Sequence, residues 1–287
     1  MAIQFDSATR DALLDRIRFY RDLGLTEFYR RPVDPALMAQ WAAYPEPQQN
    51  RNLSAPEAAP ETREAASQPL FSQEDQPIPP RKPLPTPPEI AAAIPPAGRA
   101  AALQLIRDEI GDCTRCPLHT GRNKLVFGDG DPAARLMFVG EGPGADEDAQ
   151  GLPFVGKAGQ LLNNMINAMG LKREQVYIAN VVKCRPPGNR TPLPEEGATC
   201  SPFLFRQIDV VRPQVLVALG ATAATYLLGV RQPLAGLRGR VHAVRGTQLI
   251  VTYHPAYLLR DPRQKKEAWA DLQIAMRELG LKPPARS

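Results

Sequence analysis

The sequence predicts an α/β protein in which a mostly parallel sheet is covered by helices on both faces. From about residue 98, apolar runs of strand length alternate with runs of helix length, and Gly or Pro separates many of them. Strands that alternate with helices form parallel sheets, because each helix returns the chain to the same edge. Before residue 98 this alternation is absent, and two segments of other character are expected there.

Residues 1–44 are predicted to form a helical extension, and residues 45–97 a disordered linker. The helix over 7–22 starts at a capping serine and carries apolar residues along one face. The segment from Pro45 to Pro96 holds 14 prolines among 52 residues, a composition that cannot build a core. It is interpreted as a spacer, with an SH3-type ligand as the alternative. The extension is a candidate binding segment for an unidentified protein partner.

The domain over residues 98–287 is predicted from alternating elements. In order, they are helix 101–113, strand 134–142, helix 155–170, strand 175–184, helix 200–213, strand 214–220, helix 221–229, strands 239–246 and 247–255, and helix 265–280. Several helices end at Gly or Pro, which are typical stop signals. In open parallel sheets, sites form beyond the carboxyl ends of the strands. The loops after three of these strands are therefore expected to converge.

The basic charge of the chain lies in this second part. Residues 1–98 carry 10 Lys+Arg and 13 Asp+Glu, a net charge of −3, whereas residues 99–287 carry 25 and 17, a net charge of +8. A basic domain suits a polyanion such as nucleic acid, and a basic pI without a partner is the alternative. The chain has no apolar run of the ~20 residues that cross a membrane and no apolar signal-peptide core. We expect a cytoplasmic monomer, nucleoid-associated and of bacterial type, without membrane contact.

The first loop, "VGEGPGADEDAQGLPFVGKAGQLL", occupies residues 139–162. Its glycines allow a planar ligand to approach the backbone, and its four acids disfavour a phosphate cradle. Carboxylates such as Glu141, at the tip of the strand, suit the activation of water or the stabilisation of a developing cation. Phe154 stands among Gly, Pro and Val, where its ring can stack on a base. A phenylalanine packed into the core is the alternative.

The second loop, "IANVVKCRPPGNRTP", begins with a polar residue inside an apolar strand. The amide of Asn180 pairs a donor with an acceptor, which matches the imide edge of uracil. An asparagine bonded to neighbouring backbone is the alternative. The basic stretch that follows, with Arg185 and Arg190, suits contact with a phosphate backbone, although an ordinary surface loop has the same composition.

The third loop, "TYHPAYLLRDPR", holds His254 at the end of a predicted strand. A histidine there can donate to an oxyanion, and a lone histidine satisfied at a strand end is the alternative. Tyr257, Leu258 and Leu259 form an apolar tip, followed by Arg260. Such a tip suits a wedge that enters a base stack while arginines hold phosphates. The alternative is the first turn of a buried helix.

The four cysteines form a candidate ligand set. They are Cys113, Cys116, Cys184 and Cys200, and none is left over. Two cysteines separated by two residues are a common metal-binding motif, but this spacing does not distinguish zinc from an iron–sulfur cluster. Four reduced thiols without a ligand are the alternative.

The three motifs and the four cysteines together resemble the family-4, iron–sulfur uracil-DNA glycosylases over about residues 100–280. The resemblance implies a three-layer α/β/α fold, a [4Fe–4S] cluster held by the four cysteines, and excision of uracil from single- and double-stranded DNA. It places these residues in the uracil pocket: Glu141, Gly142, Pro143, Phe154, Asn180 and His254. The chain departs from some relatives at Tyr257, which bears on the wedge, and at Ala145, which changes the acids of the first loop.

The expected reaction is hydrolysis of the N-glycosidic bond of an extruded uracil, which leaves an abasic site. Phe154 stacks on the base, Asn180 reads its edge, and His254 donates to O2 as the bond breaks. Either Glu141 or Glu147 orients water or offsets the charge on the deoxyribose.

Two other functions stay open at this point. A relative that traps uracil-DNA covalently needs a histidine in an added basic loop, and no such insertion occurs between Gly151 and Gly159. A non-catalytic iron–sulfur or zinc DNA-binding module needs the cysteines and the basic loops, but not the three pocket side chains together.

Overall fold

The computed structural model describes residues 84, 86–90 and 92–282 of the chain. Within these residues, helices pack on both faces of one six-stranded sheet, which gives the three-layer α/β/α arrangement. The predicted helix over 7–22 and most of the predicted linker lie outside the described residues. None of the helices described here has the length and apolar character that a membrane crossing requires.

The elements are numbered along the chain. The strands are β1 (Asp129–Gly130), β2 (Leu136–Gly140), β3 (Tyr177–Asn180), β4 (Val215–Leu219), β5 (Val241–Val244) and β6 (Thr247–Thr252). The helices are α1 (Pro96–Ile110), α2 (Ala145–Gln150), α3 (Lys157–Ala168), α4 (Pro194–Val211), α5 (Ala221–Leu228), α6 (Leu234–Leu237), α7 (Pro255–Arg260) and α8 (Lys265–Glu278). Short 3-10 turns cover Pro117–Gly121, Arg173–Gln175, Pro187–Asn189 and Pro262–Gln264.

The strand order is β1-β3-β2-β4-β6-β5. The four central strands are parallel, and the two edge strands pair antiparallel with their neighbours. The predicted mostly parallel sheet is therefore confirmed, with an antiparallel strand at each edge. The carboxyl ends of β2, β3, β4 and β6 lie along one edge, where the polar loops begin.

Alternate residues of each central strand enter different apolar layers. Met137 and Val139 pack in the layer that contains α1, α4 and α5. Leu136 and Phe138 pack in the layer that contains α3 and α8. Burying one such side chain contributes about 1.5–3 kcal/mol. Burial on both faces explains why β2 is apolar at every position before its final glycine.

Several element boundaries differ from those predicted. β3 ends at Asn180 rather than Cys184, α4 begins before Cys200 and includes it, and His254 caps α7 after β6 has ended. The acidic part of the first loop contains the short helix α2, which was predicted as loop. At β3, the apolar residues Val181 and Val182 continue past the last ladder pair, so composition alone does not mark where pairing stops.

The end of the predicted linker lies on the domain. Leu84 and Ile94 pack against the apolar layer that contains α1. The guanidinium of Arg245, in the turn between β5 and β6, donates to the carbonyl oxygens of Pro88 (2.7 Å) and Glu89 (3.1 Å). Some residues before residue 98, the predicted start of the domain, therefore pack on the domain.

Candidate active site

The loops that follow β2, β3, β4 and β6 enclose one cavity of about 670 Å³. Its lining includes every residue that the resemblance assigns to a uracil pocket, which are Glu141, Gly142, Pro143, Phe154, Asn180 and His254. Glu147 lines the same cavity. Side chains from three separate strand ends therefore share one space.

Asn180 lines this cavity and carries an unsatisfied acceptor. It is the last residue of β3, only 1% exposed, and its Oδ1 has no hydrogen-bond partner in the described structure. The adjacent strand ends at Gly140, where a Cβ atom would lie 2.3 Å from that oxygen and 2.6 Å from the Phe154 ring. Only glycine lets the amide and the ring meet over the end of β2.

Phe154 covers the cavity beside His254. The centroids of the two rings are 5.6 Å apart, with an interplanar angle of 33°. The phenylalanine is 5% exposed and has a φ of +53°, a backbone conformation that is uncommon for a residue with a side chain. The aromatic side chain is therefore held in a defined place at a strained point of the loop.

His254 is a neutral donor at physiological pH. Its Nδ1 accepts a hydrogen bond from the backbone N–H of Ala256 (3.1 Å), which caps α7. Desolvation in the cavity lowers the pKa of His254 to about 4, and the positive charge of Arg260 acts in the same direction. A neutral imidazole whose Nδ1 is an acceptor carries its proton on Nε2. The ring can therefore donate from Nε2.

The acids of the first loop have different surroundings. Glu147 accepts three backbone hydrogen bonds, from Gly144 (3.1 Å), Val155 (2.9 Å) and Gly156 (3.0 Å). Asp148 is fully buried and accepts from the backbone and side chain of Asn123. These two carboxylates tie the loop together, because backbone donors to a carboxylate make strong, charge-assisted bonds.

Glu141 instead accepts a short hydrogen bond from the hydroxyl of Thr222. Thr222 lies in the first turn of α5 and lines the same cavity. Thr222 was not among the predicted site residues. Its position was a signal that could have indicated it, because Thr222 follows the carboxyl end of β4 at Leu219, and sites in such sheets form beyond the carboxyl ends of the strands.

The predicted wedge needs one correction. Leu258 is 1% exposed, because α7 packs against α3 and turns this side chain inward. Leu259 is 45% exposed, and Tyr257 stacks on Tyr253 with centroids 5.1 Å apart. Leu259 is thus the side chain of this tip that is available at the surface.

The three arginines predicted to bind phosphate differ from one another in their hydrogen-bond partners and in whether they line the cavity. Arg190 forms two hydrogen bonds, of 2.8 and 2.6 Å, with the buried carboxylate of Glu196 and lowers the pKa of that carboxyl. Arg185 donates to the side-chain oxygen of Asn189 (2.8 Å). Arg190 and Arg260 line the cavity. The guanidinium of Arg190 therefore shapes the basic loop as well as facing the cavity.

The four cysteines line a second, mostly apolar cavity with about 10 Å³ of free volume. Cys113 and Cys116 lie between α1 and the 3-10 turn at Pro117–Gly121, Cys184 lies in the loop after β3, and Cys200 lies in α4. All four are free thiols, and burial raises the pKa of Cys200 to about 12. Burial also raises the pKa of Cys116 and Cys184. Across the described residues, no group of three or more His, Cys, Asp or Glu stands ready as a metal site.

Hydrogen-bond donors surround these sulfur atoms. Arg115 donates to Cys113 Sγ (3.3 Å), and Arg122 donates to Cys184 Sγ (3.2 Å). The backbone N–H of Lys183 donates to Cys200 Sγ (3.3 Å). Such donors stabilise sulfur as thiolate, which is the form that binds metal.

Comparison with known proteins agrees with this site. The family model for the uracil DNA glycosylase superfamily matches residues 127–273. The type-4 uracil-DNA glycosylase of Thermotoga maritima is 47% identical over 165 residues, which cover 57% of this chain and 86% of that protein. The type-4 enzymes of Archaeoglobus fulgidus (41% identical) and Pyrobaculum aerophilum (44%) match 61% and 60% of this chain, and 92% of their own length. The chain belongs to the type-4 uracil-DNA glycosylase family.

Proposed function

We propose that this chain hydrolyses the N-glycosidic bond of uracil in single- and double-stranded DNA and leaves an abasic site, the first step of base excision repair. The observation that carries the proposal is the unpartnered, buried Oδ1 of Asn180, a residue that lines the same cavity as Phe154 and His254. The glycosidic bond is out of reach inside a duplex, so the nucleotide must be extruded into this cavity.

Asn180 selects the base. Its Oδ1 accepts the N3–H of uracil, and its amide N–H group donates to O4. Cytosine presents an acceptor at N3 and a donor at N4, so it would meet each half of the amide with the wrong partner. A buried acceptor without a partner costs about 1–3 kcal/mol. Uracil relieves that cost and cytosine does not, which favours uracil in the bound state.

His254 stabilises the leaving group. Nε2–H donates to uracil O2 as negative charge develops on the base. A neutral imidazole is already a donor and needs no proton from solvent, and a fixed donor of this kind is among the largest contributions to such reactions.

Glu141 and Glu147 have different proposed roles. Glu147 uses both oxygens on backbone N–H groups, so its role is to hold the first loop around the base. Glu141 has the Thr222 hydroxyl as its orienting partner. We assign to Glu141 the orientation of water, or the offset of positive charge on the deoxyribose.

The four cysteines are proposed to hold a [4Fe–4S] cluster. The donor set fits this group, because four thiols line one mostly apolar cavity and donors already face three of the sulfur atoms. Binding requires the side chains to separate, since the free volume between them is small. The cluster would supply a structural crosslink between the start of the domain, the loop after β3 and α4.

DNA is the proposed partner, held by Arg185, Arg190 and Arg260 with Tyr257 beside the cavity. Leu259 is the proposed wedge into the base stack. We place the protein in the cytoplasm with the genomic DNA, as a monomer.

A uracil-release assay tests the function. Oligonucleotides with one uracil, single-stranded or paired with guanine, are incubated with the protein, and free base and strand cleavage after alkali are measured. We expect free uracil from both substrates and none from thymine or cytosine controls. A covalent protein–DNA adduct would identify a trapping protein instead, and binding without release would identify a non-catalytic module. Iron and sulfide analysis of the purified protein, with its visible absorbance, separates the cluster from colourless zinc.

A further inference from the structure

The main chain at Phe154 is strained and needs an external support. A φ of +53° places this residue in the left-handed region, where a side chain costs of the order of 1–3 kcal/mol. Such a conformation persists only when surrounding contacts determine it. The ring contacts Gly140, His254 and the apolar layer that contains α3 and α8, so these contacts hold the side chain rather than the main chain. The support for the backbone must come from elsewhere.

Arg173 supplies that support. It lies in the 3-10 turn before β3, and its Nη1 donates to the carbonyl oxygen of Phe154 (3.0 Å) while its Nη2 donates to that of Pro153 (2.5 Å). Nη1 also donates to Asn163 Oδ1 (3.0 Å), which joins the arginine to α3. A planar guanidinium can hold two successive carbonyls at once, whereas an ammonium group has no such fork.

The other side of Phe154 is closed by helix α3. A Cβ atom added to Gly159 would lie 2.0 Å from the carbonyl oxygen of Phe154. The helix backbone therefore touches the same carbonyl group that Arg173 binds. Asp129, on the edge strand β1, lies 3.5 Å from the guanidinium and pairs with it. The arginine thus links the loop to α3 and to the edge of the sheet.

We propose that Arg173 is a positioning residue that fixes the Phe154 ring for stacking on the base. It does not line the cavity and so acts through Phe154 rather than on the substrate. The proposal rests on the proposed function, because it assigns a purpose to the ring in base recognition. Without the clamp, the loop relaxes towards an ordinary φ and the ring leaves its place beside His254.

The experiment is a double-mutant cycle in single-turnover uracil excision with enzyme in excess. The variants are Arg173→Gln and Phe154→Leu, singly and together. We expect Arg173→Gln to lower the excision rate by about 10- to 100-fold, the loss expected when a reacting group is displaced by about 1 Å. In the Phe154→Leu background the same change should lower the rate less than about threefold, because the ring that Arg173 positions is already gone.

Arg135→Gln is the matched control. Arg135 also donates to a backbone carbonyl, that of Leu279 (2.6 Å), but it lies away from the cavity. We expect this change to lower the thermal midpoint without a selective loss of excision rate. If Arg173→Gln fails to fold, Arg173→Lys takes its place in the cycle, since it keeps the charge and loses the fork.

A wild-type rate in Arg173→Gln would overturn the proposal. An equal fractional loss in both backgrounds would also overturn it, because that pattern belongs to a general structural role. Uracil release by the wild-type protein is measured first, so a failure of the proposed function is seen separately from a failure of this inference.

Discussion

Two cavities share the segment 180–184, and they differ in almost every property. The cavity that Asn180 lines has about 670 Å³ of space, with charged and amide groups around an unpartnered acceptor. The cavity that Cys184 lines has about 10 Å³ and is mostly apolar, and burial raises the pKa of Cys184 and Cys200. The first is already open without a ligand, whereas the second would have to expand to hold the proposed cluster. Changes in the first should therefore affect catalysis, and changes in the second should affect stability.

The two regions are joined by a buried lysine. The Nζ of Lys183 donates to the backbone carbonyl of Asn180 (2.9 Å) and to Gln207 Oε1 (2.5 Å). Its own backbone N–H donates to Cys200 Sγ (3.3 Å). The two cavities are therefore not independent. Lys183 contacts Cys200 and Asn180, so a displacement of the cysteine region would be transmitted to Asn180.

The largest effect is expected at His254. His254→Ala removes the donor to uracil O2, and we expect single-turnover excision to fall by about 10²- to 10³-fold, as for other oxyanion donors. His242→Ala is the matched control, since His242 lies on the edge strand β5 and its Nε2 bonds to the carbonyl of Leu237 in α6. Both variants should keep a thermal midpoint close to that of the wild type. Unchanged excision by His254→Ala would remove the proposed role.

Asn180→Ala should follow, with a loss of about 10²-fold in excision. The reason is that the pocket loses the only group proposed to read the N3–H edge of uracil. Asn164→Ala, at an exposed position of α3, is the control and should retain full activity. If Asn180→Ala excised uracil at the wild-type rate, recognition would have to come from other groups in the cavity.

A change in the cysteine cavity should act on stability instead. We expect Cys200→Ala to lose visible absorbance and iron, and to lower the thermal midpoint by roughly 5–10 °C, as a loss of about 2–3 kcal/mol would do in a domain of this size. Ser201→Ala removes a neighbouring buried hydroxyl and should keep the iron. Full iron content and an unchanged midpoint in Cys200→Ala would exclude this cysteine as a ligand.

The smallest effect is expected in the pH dependence of stability. The pKa of His254 is lowered from 6.5 to about 4 in the folded protein, mainly by desolvation. As pH decreases, the unfolded chain therefore takes up this proton before the folded chain does. The contribution of His254 to the free energy of unfolding falls between about pH 6.5 and pH 4 and is constant above that range. Urea unfolding at pH 7 and pH 5 measures it. The fall should be smaller in His254→Ala, and an equal fall in both proteins would contradict the buried neutral imidazole.

The shared cavity of the three strand-end loops could be predicted because parallel strands bring their carboxyl ends to one edge. Asn180 and His254 stood out as polar residues in or after apolar strands, and Phe154 as an aromatic in a glycine-rich loop. Thr222 follows β4 at that same edge, but nothing in the composition of its helix singles it out, and Arg173 precedes β3 rather than following a strand. Each acts through a contact with a distant segment, and neither has a local pattern that marks it.

The roles of Leu258 and Glu147 depended on packing that the sequence does not encode locally. Leu258 and Leu259 are neighbours of identical type, and only the direction of α7 against α3 decides which one is buried. Glu147 stands in a run of acids, and its three backbone donors come together only after the loop has folded back on itself.

The contact of Arg245 with the carbonyls of Pro88 and Glu89 has a practical consequence. The arginine precedes the first residue of β6, whereas His254 follows the last, so a six-residue strand, about 20 Å, separates this contact from the cavity. Chain that enters the domain here does so on the side away from the substrate. A fluorophore attached at Glu89 would therefore report on this end of the sheet without standing at the cavity where DNA is proposed to bind.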